Sequence, residues 1–468
     1  MTVINFFRKR LDVIIILSLF NFVFLGSEYL FDNNAARVTS ETGVVTAQSY
    51  ILAASVVGFL LFSFLYRHIS RQPKIWSLIP AVCLFCGFFL YEICTRESHI
   101  RVVAAGCIFF VFLGILGSAA HYFCLCRLRQ DPGLAKTIGC SYALGLLFQF
   151  LNNNVIHLAG LESFVLLAAC ILLTFLILRL QGRTEPVPAA DSSSPASTHP
   201  TRRAGIALFV CILAMTVIFA GLDNVITYFH AEGTMDVGSW PRLLLALSGL
   251  TAGILFDIHN RRYMNLIMYC VTVLSVLCLL IILSGGLFLT SLIVFYLSAG
   301  FFAVFFTTSF MDYALRTNSP SLWAGFGRAA NNIADGVMGT ISVTYLSRSH
   351  ALAICVVALL VFVIISIALY LYSDWSKTSH AVPLPVSEPK EDAFDRFVKQ
   401  YSLTSREQDV LQALLESDDS VQNIAASLYI SRAALYRHIA SINEKTHTKS
   451  RIGLLQFYYS RENDDFSS

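Results

Sequence analysis

Charge is scarce in this chain: 13% of its 468 residues are Asp, Glu, Lys or Arg, against 56% hydrophobic residues. Soluble domains carry about a quarter charged residues, so a wholly water-soluble protein is excluded and lipid must cover much of the surface. Cysteine is absent from residue 356 onward, since all twelve cysteines lie between Cys83 and Cys355. The C-terminal part therefore has neither a disulfide staple nor a thiolate metal site. Within the apolar part, Cys83 with Cys86 and Cys124 with Cys126 have no clustered His or Cys partners, and read as small buried hydrophobes. A Walker loop, an H-E-x-x-H pair, a nucleophile elbow and a phosphoacceptor receiver domain are also missing. Their absence argues against an enzyme and against an input delivered as a phosphoryl group; no cofactor and no metal is expected.

What the chain has in abundance is apolar length, with 37 Phe and a mean hydropathy of +0.65. A bilayer core about 30 Å thick needs roughly 20 apolar residues at 1.5 Å rise each. About twelve stretches qualify: 11–31, 44–66, 75–94, 101–126, 134–157, 160–181, 204–229, 237–257, 263–284, 286–311, 322–346 and 350–373. Arg8, Lys9 and Arg10 before the first stretch imitate a secretory signal, but Asn21 and Glu28 interrupt the run and no small-residue cleavage pattern follows, so it reads as an uncleaved span. Residues 183–203 are rich in Pro, Ser and Ala and predict a flexible loop between two six-helix halves, 1–182 and 204–373. Residues 374–396, with Pro383, Pro385 and Pro389, predict an extended linker to a polar domain at 397–468.

Basic residues near span ends are retained on the cytoplasmic side. With the N-terminus inside, that side receives Arg8, Lys9, Arg10, Arg67, Arg71, Lys74, Arg127, Arg129, Lys136, Arg179, Arg183, Arg202, Arg203, Arg261, Arg262 and Arg316. The other side receives Arg37, Arg96, Arg101, Arg242 and Arg348. The bias of roughly sixteen to five predicts a multi-pass protein of the bacterial cytoplasmic membrane with both termini in the cytoplasm, where DNA is available.

In the polar domain, Thr404 followed three residues later by Glu407 is a capping box, and Val410, Leu411, Leu414 and Leu415 then recur at helical spacing. Ser420 is placed to cap a second helix carrying Ile424, Ala425 and Leu428. After a turn at Tyr429 and Ile430, Ser431 is placed to cap a third, with Leu435, Ile439 and Ile442 on its inner face. Small Ala425 lets two helices approach closely, as a helix-turn-helix requires. From Ser431 to Arg451 the bases Arg432, Arg437, Lys445, Lys449 and Arg451 face a single acid, Glu444, a charge balance suited to a phosphate backbone.

The order Leu403-Thr404-Ser405-Arg406-Glu407, Val410-Leu411, Ile424-Ala425, Leu428, Ile430-Ser431, His438, Ile442, Lys445 and Arg451 resembles the LuxR-type helix-turn-helix. The resemblance implies a four-helix domain that binds double-stranded DNA through its third helix and dimerises through its fourth, here Arg451 to Tyr459. It implies Tyr436 and Arg437 as base-edge readers and Arg432 and Lys445 as phosphate contacts. Ser431, Ala440, Lys449 and Arg451 complete the implied DNA-binding set. Where the family usually has Thr-Val-Lys this chain has Ala434-Leu435-Tyr436, which removes one usual DNA contact.

Gly253, Asp257, Arg261 and Arg262 follow the spacing G-x-x-x-D-x-x-x-R-R at the end of the eighth stretch, and resemble the loop signature of the major facilitator superfamily. The first-half counterpart, Gly58 with Arg67, Arg71 and Lys74, lacks the acid. With two halves of six spans, the resemblance implies an all-α, facilitator-like body. Arg328, Asn331, Asn332 and Asp335 stand at i, i+3, i+4 and i+7, one helical face that is too polar for lipid. Polar residues recur in spans one (Asn21, Glu28), four (His121), five (Gln149, Asn152) and seven (Asp223, Asn224); in facilitators spans one, four and seven help line a central cavity. Two readings stand side by side. Glu28, Asp223, Arg328, Asn331, Asn332 and Asp335 line a ligand pocket, with Arg328 facing an anionic group of a small molecule, or Asp223 or Glu28 when empty. Alternatively they satisfy one another between helices.

The composite predicts a membrane-embedded one-component transcription regulator, whose body senses a small molecule or membrane condition and controls DNA binding by the tail. The alternative is a secondary transporter with an attached regulatory domain.

Overall fold

The computed structural model describes all residues except 1–2, 70–74, 96, 130, 156–158, 185–194, 234–235, 284–287, 347–350, 381–392, 417–420, 452 and 459–468. Arg71, Lys74, Arg96, Arg348, Ser420 and Tyr459, together with 185–194 of the central loop and 381–392 of the linker, lie outside the described residues. The chain divides into two units, Met1–His380 and Ala381–Ser468.

Among the described residues the first unit contains twelve helices of 17 to 37 residues. The first half comprises α1 (Val3–Ala35), α2 (Glu41–Ile69), α3 (Ile75–Thr95), α4 (His99–Arg127), α5 (Leu134–Val155) and α6 (Ala159–Gln181). The second comprises α7 (Pro195–Ala231), α8 (Trp240–Phe256), α9 (Met264–Leu283), α10 (Phe288–Ala314), a single turn α11 (Pro320–Trp323), α12 (Phe326–Leu346) and α13 (Ala351–His380). Nine of them are long and apolar enough to cross a bilayer by length and composition; Trp240–Phe256 and Met264–Cys278 are apolar but shorter. α12 belongs to neither group because its first half is polar.

Three expected boundaries move. α1 starts at Val3, eight residues before the expected stretch. α7 starts at Pro195, so the last nine residues of the stretch expected as a loop are helical; proline suits the first helical turn, where its missing N–H would have no partner. α13 continues to His380, seven residues into the expected linker.

The two halves meet where α5 packs on α8 and α2 packs on α12. Large side chains fill the core between helices, among them Phe20, Phe24, Phe59, Phe62, Phe110, Phe305 and Phe310, each at most 1% exposed. Leu60, Phe64, Leu84, Phe88, Phe164, Phe175 and Leu360 are instead exposed around the periphery. Apolar side chains on this scale outside a core need an apolar solvent, which a bilayer provides. The body is a multi-pass membrane bundle. The described cysteines are all free, and Cys83 contacts Cys170 of α6 at 3.9 Å as a buried thiol.

The second unit comprises α14 (Ala393–Gln400), α15 (Ser405–Glu416), α16 (Val421–Ser427), α17 (Arg432–Thr446) and a last helical segment at 453–458. α14 was not expected. It adds Phe397 and Val398 to a core of Leu403, Val410, Leu411, Leu414, Ile424, Ala425, Leu435, Ile439, Ile442, Leu454 and Tyr458.

Three helices of this unit end in the same device. Ser402, Tyr429 and His447 have φ of 50°, 56° and 54°. In each case the next amide reaches back five residues: Leu403 to Val398, Ile430 to Ala425 and Thr448 to Asn443. These are Schellman ends, normally built with glycine at the left-handed position. None is glycine here, so each carries roughly 1 kcal/mol of backbone strain that packing must offset.

Candidate functional site

In the tail, the helix-turn-helix is built from α16, the turn at Tyr429 and α17. The Ser431 hydroxyl accepts from the Ala434 amide at 3.2 Å and caps α17. Leu435, Ile439 and Ile442 are buried, as are Ile424 and Ala425, while Leu428 and Ile430 are half-buried against the same core. This packing leaves Arg432, Tyr436, Arg437 and Ala440 exposed on the other side of α17. The Arg432 guanidinium lies 5.9 Å from the Tyr436 ring centroid, so cation and aromatic form one surface. Lys449 is exposed, whereas Arg451, two residues before the last helical segment, is half-buried.

Lys445 is placed differently from the phosphate contact that the resemblance implied. Its Nζ donates to Glu407 Oε2 at 2.7 Å and to the Ser402 carbonyl at 3.0 Å. Ser441, one turn earlier, donates to Glu407 Oε1 at 2.6 Å. Glu407 also closes the capping box, accepting from the Thr404 amide at 2.7 Å and hydroxyl at 2.9 Å. One buried carboxylate thus caps α15 and fastens it to α17. Burial pushes the Glu407 carboxyl up, but bonds from Lys445, Ser441 and Thr404 outweigh it and hold it at about 2. The capping box was visible at i, i+3; the partners on α17 were not, being 34 and 38 residues away.

In the body, the end where α1 begins is tied by charge. Arg10, 2% exposed, grips Asp131 with two bonds of 2.5 and 3.0 Å. Burial pushes the Asp131 carboxyl up, but the Arg10 fork and the Gly133 amide outweigh it and keep it below the ordinary range. Asp257, at the end of α8, accepts from the first-turn amides of α5, Ala135 at 3.2 Å and Lys136 at 2.7 Å. Such amides have no partner within their own helix, and they point the positive end of the helix dipole at the carboxylate.

The spacing Gly253 to Asp257 now has a physical reason. A Cβ on Gly253 would lie 2.7 Å from the Ala135 carbonyl oxygen and 3.0 Å from Gly139 Cα. Only glycine lets α8 close on α5 there, and Asp257, one turn on, then reaches the α5 amides. Arg261 bonds the Asp131 carbonyl at 3.3 Å and approaches Asp257 and Asp312 at 3.5 and 3.4 Å. Arg262 is exposed. This end joins the halves.

Replacing Asp257 by alanine strands two first-turn donors, one buried and one half-buried, at about 2 kcal/mol for a bond to a charged acceptor. Amide hydrogen exchange at 133–139 is expected to quicken at least tenfold; unchanged exchange there would show that the contact does not hold the end shut.

The opposite end is also bridged. Tyr29 donates to Asp236 at 3.1 Å, His230 Nε2 and Asn33 Oδ1 are 3.1 Å apart, and Asn154 donates to the Gly238 carbonyl at 2.8 Å.

Between these ends lies a cavity of about 140 Å³ lined by both halves. All six expected pocket residues line it: Glu28, Asp223, Arg328, Asn331, Asn332 and Asp335. Asp32, Gln48, Tyr142 and Arg242 line it too and were not expected. Asp32 was legible, one turn beyond Glu28 on the same face of α1. Arg242 counts in the sequence as a basic residue near a span end; it is the third residue of α8 and lines the cavity. His121 does not line the cavity; it bonds the Gly117 carbonyl of its own helix.

The expected pairing of Arg328 with Asp223 or Glu28 is absent among the described residues. Its guanidinium lies over the rings of Phe24 and Phe306, 5.4 and 5.1 Å from their centroids. Glu28 accepts instead from Gln48 at 2.8 Å, and Asp335 from Asn331 at 2.6 Å. Asn332 donates to Ser55 of α2 at 2.8 Å, so one face of α12 both lines the cavity and binds a helix of the other half.

Against known families, residues 401–458 match the model of bacterial regulatory proteins, luxR family. Residues 401–458 form a LuxR-type helix-turn-helix domain. It is a DNA-binding domain of transcription regulation, and the surface around Arg432, Tyr436 and Arg437 lies on its third helix. No curated protein matches the chain. Solved structures similar in fold include two transporters. One is an auto-inhibited POT family peptide transporter, at 11% identity and TM-score 0.54, covering 80% of this chain and 97% of that one. The other is the human organic anion transporter MFSD10, at 14% identity and TM-score 0.50, covering 78% and 99%. The helical body resembles major-facilitator-type transporters in fold, and at this identity the likeness extends to fold alone.

Proposed function

We propose that the chain is a membrane-embedded one-component transcription regulator that is not an enzyme. Its body senses a small molecule or a membrane condition, and its tail answers by changing DNA binding. The observation that carries this reading is a LuxR-type DNA-binding domain joined covalently to a multi-pass body whose polar cavity is bridged at both ends. Both termini lie in the cytoplasm of a bacterial cell, in accord with the distribution of basic residues. On DNA the tail pairs with a second copy through its last helix, and Tyr436 and Arg437 read bases while Arg432, Lys449 and Arg451 meet phosphates.

Sensing requires two states of the body that the stimulus binds unequally. The bonds of Asp257 and Arg261 at one end, and of Tyr29 and Asn154 at the other, are contacts that such states would exchange. A reporter driven from a promoter that the tail occupies tests the reading. The wild-type chain is expected to change reporter output with the stimulus and the Arg437→Ala chain to lose that change; an unaltered response in the variant would refute it.

The bridged ends also favour a second reading, a secondary transporter with an attached regulatory domain. Gradient-driven accumulation by proteoliposomes that contain the body would support it.

A further inference from the structure

We propose that the cavity takes an organic cation, an amine carried on an apolar body; this inference rests on the reading of the body as a ligand sensor. Four carboxylates line the cavity, Glu28, Asp32, Asp223 and Asp335, against two guanidinium groups, Arg242 and Arg328. Two negative charges are left over in a space where charge must be paired, neutralised or matched by a ligand.

The surplus has a place. Glu28 and Asp335 each accept an amide donor, whereas Asp32 Oδ1 has no hydrogen-bond partner, although the residue is only 6% exposed. Asp223 accepts no hydrogen bond among the described residues either. A buried carboxylate oxygen with nothing to accept calls for a donor from outside the chain, and an ammonium group supplies up to three.

Arg328 does not argue for an anion. Two phenyl rings already face its charge, an arrangement that stabilises a cation without a carboxylate. The rest of the wall suits an apolar cation as well, since Phe219, Phe295, Tyr296 and Phe302 line the same cavity. A carboxylate ligand would add a negative charge to a cavity that Glu28, Asp32 and Asp223 already line. A protonated arylalkylamine meets opposite charge and rings together.

The test uses the full-length chain in lipid nanodiscs and three phenyl-bearing probes of similar size at neutral pH: 2-phenylethylamine, 3-phenylpropionate and 3-phenylpropanol. The amine is expected to bind at least tenfold more tightly than the other two, by equilibrium dialysis, and to raise the melting temperature of the body. Asp32→Asn and Asp223→Asn are each expected to weaken the amine at least tenfold. If neither variant folds, the ranking of the three probes on the wild-type chain decides. Equal or tighter binding of the carboxylate or the alcohol overturns the inference; so does no binding of any probe at millimolar concentration, since protons alone would then satisfy the acids. A reporter that responds while the carboxylate binds best refutes the cation alone. An amine that binds while the reporter stays silent refutes the regulator alone.

Discussion

Replacing Glu407 by alanine is expected to lower the melting temperature of the isolated tail, residues 381–468, by about 15 °C. The variant removes the N-terminal cap of α15 and leaves Lys445 with no carboxylate beside it. Only the Glu407 side of the pair is buried, and losing the pair together with the cap costs roughly 3 kcal/mol, while a domain of this size shifts by about 4–8 °C per kcal/mol. The same carboxylate sets an acid limit. Its folded value of about 2 lies below the ordinary 4.5, so its stabilisation is fully present above pH 4.5 and is lost as pH falls from 4.5 to 2. A shift of that size corresponds to about 3 kcal/mol. Urea titrations of the tail at pH 6, 4 and 2.5 check both statements: the wild type should weaken steeply across that window and Glu407→Ala should not. Equal acid sensitivity in the two would mean that other carboxylates set the limit.

Arg437→Ala should leave the fold of the tail intact and weaken specific DNA binding by roughly 10- to 100-fold, as expected for loss of one base-edge contact worth about 1–3 kcal/mol. Arg437 is exposed, and its neighbours Leu435 and Ile439 carry the packing, so the melting temperature should hardly move. Arg432→Ala should behave differently, lowering affinity for any sequence and reducing the salt dependence by about one counterion. Lys445→Met separates the two kinds of role most sharply. Its ion pair with Glu407 requires a loss of stability with little change in the salt slope. A normal melting temperature with a reduced slope would return Lys445 to the DNA backbone. Band-shift titrations at three salt concentrations, with a melting curve for each variant, suffice.

The sequence made some of this legible and hid the rest for identifiable reasons. Helices of the body could be placed to within a few residues because a span needs continuous apolar length, and α2, α4 and α6 end where that length ends. Boundaries failed at α1, α7 and α13, whose ends continue as more polar helix beyond the apolar run. The polar face of α12 was readable at i, i+3, i+4 and i+7, since a helix projects those positions together. What Arg328 touches was not, because Phe24 and Phe306 come from other helices and no local period encodes them. Glu407 shows the same divide within the tail. Its bond to Thr404 is a three-residue signal, while Lys445 looked like a free cation until α17 was seen to bring it back to α15. The role of Gly253 was also invisible, because a missing Cβ has meaning only once a neighbouring helix is seen against it.

Chromosome-wide occupancy, measured for the full-length chain and for the soluble tail alone, with and without the stimulus, probes the control of DNA by the membrane body most directly. Both proteins should occupy sites with one shared sequence, and occupancy by the full-length chain alone should change with the stimulus. Occupancy by the full-length chain that matches the free tail under every condition would contradict control by the body and reduce it to an anchor.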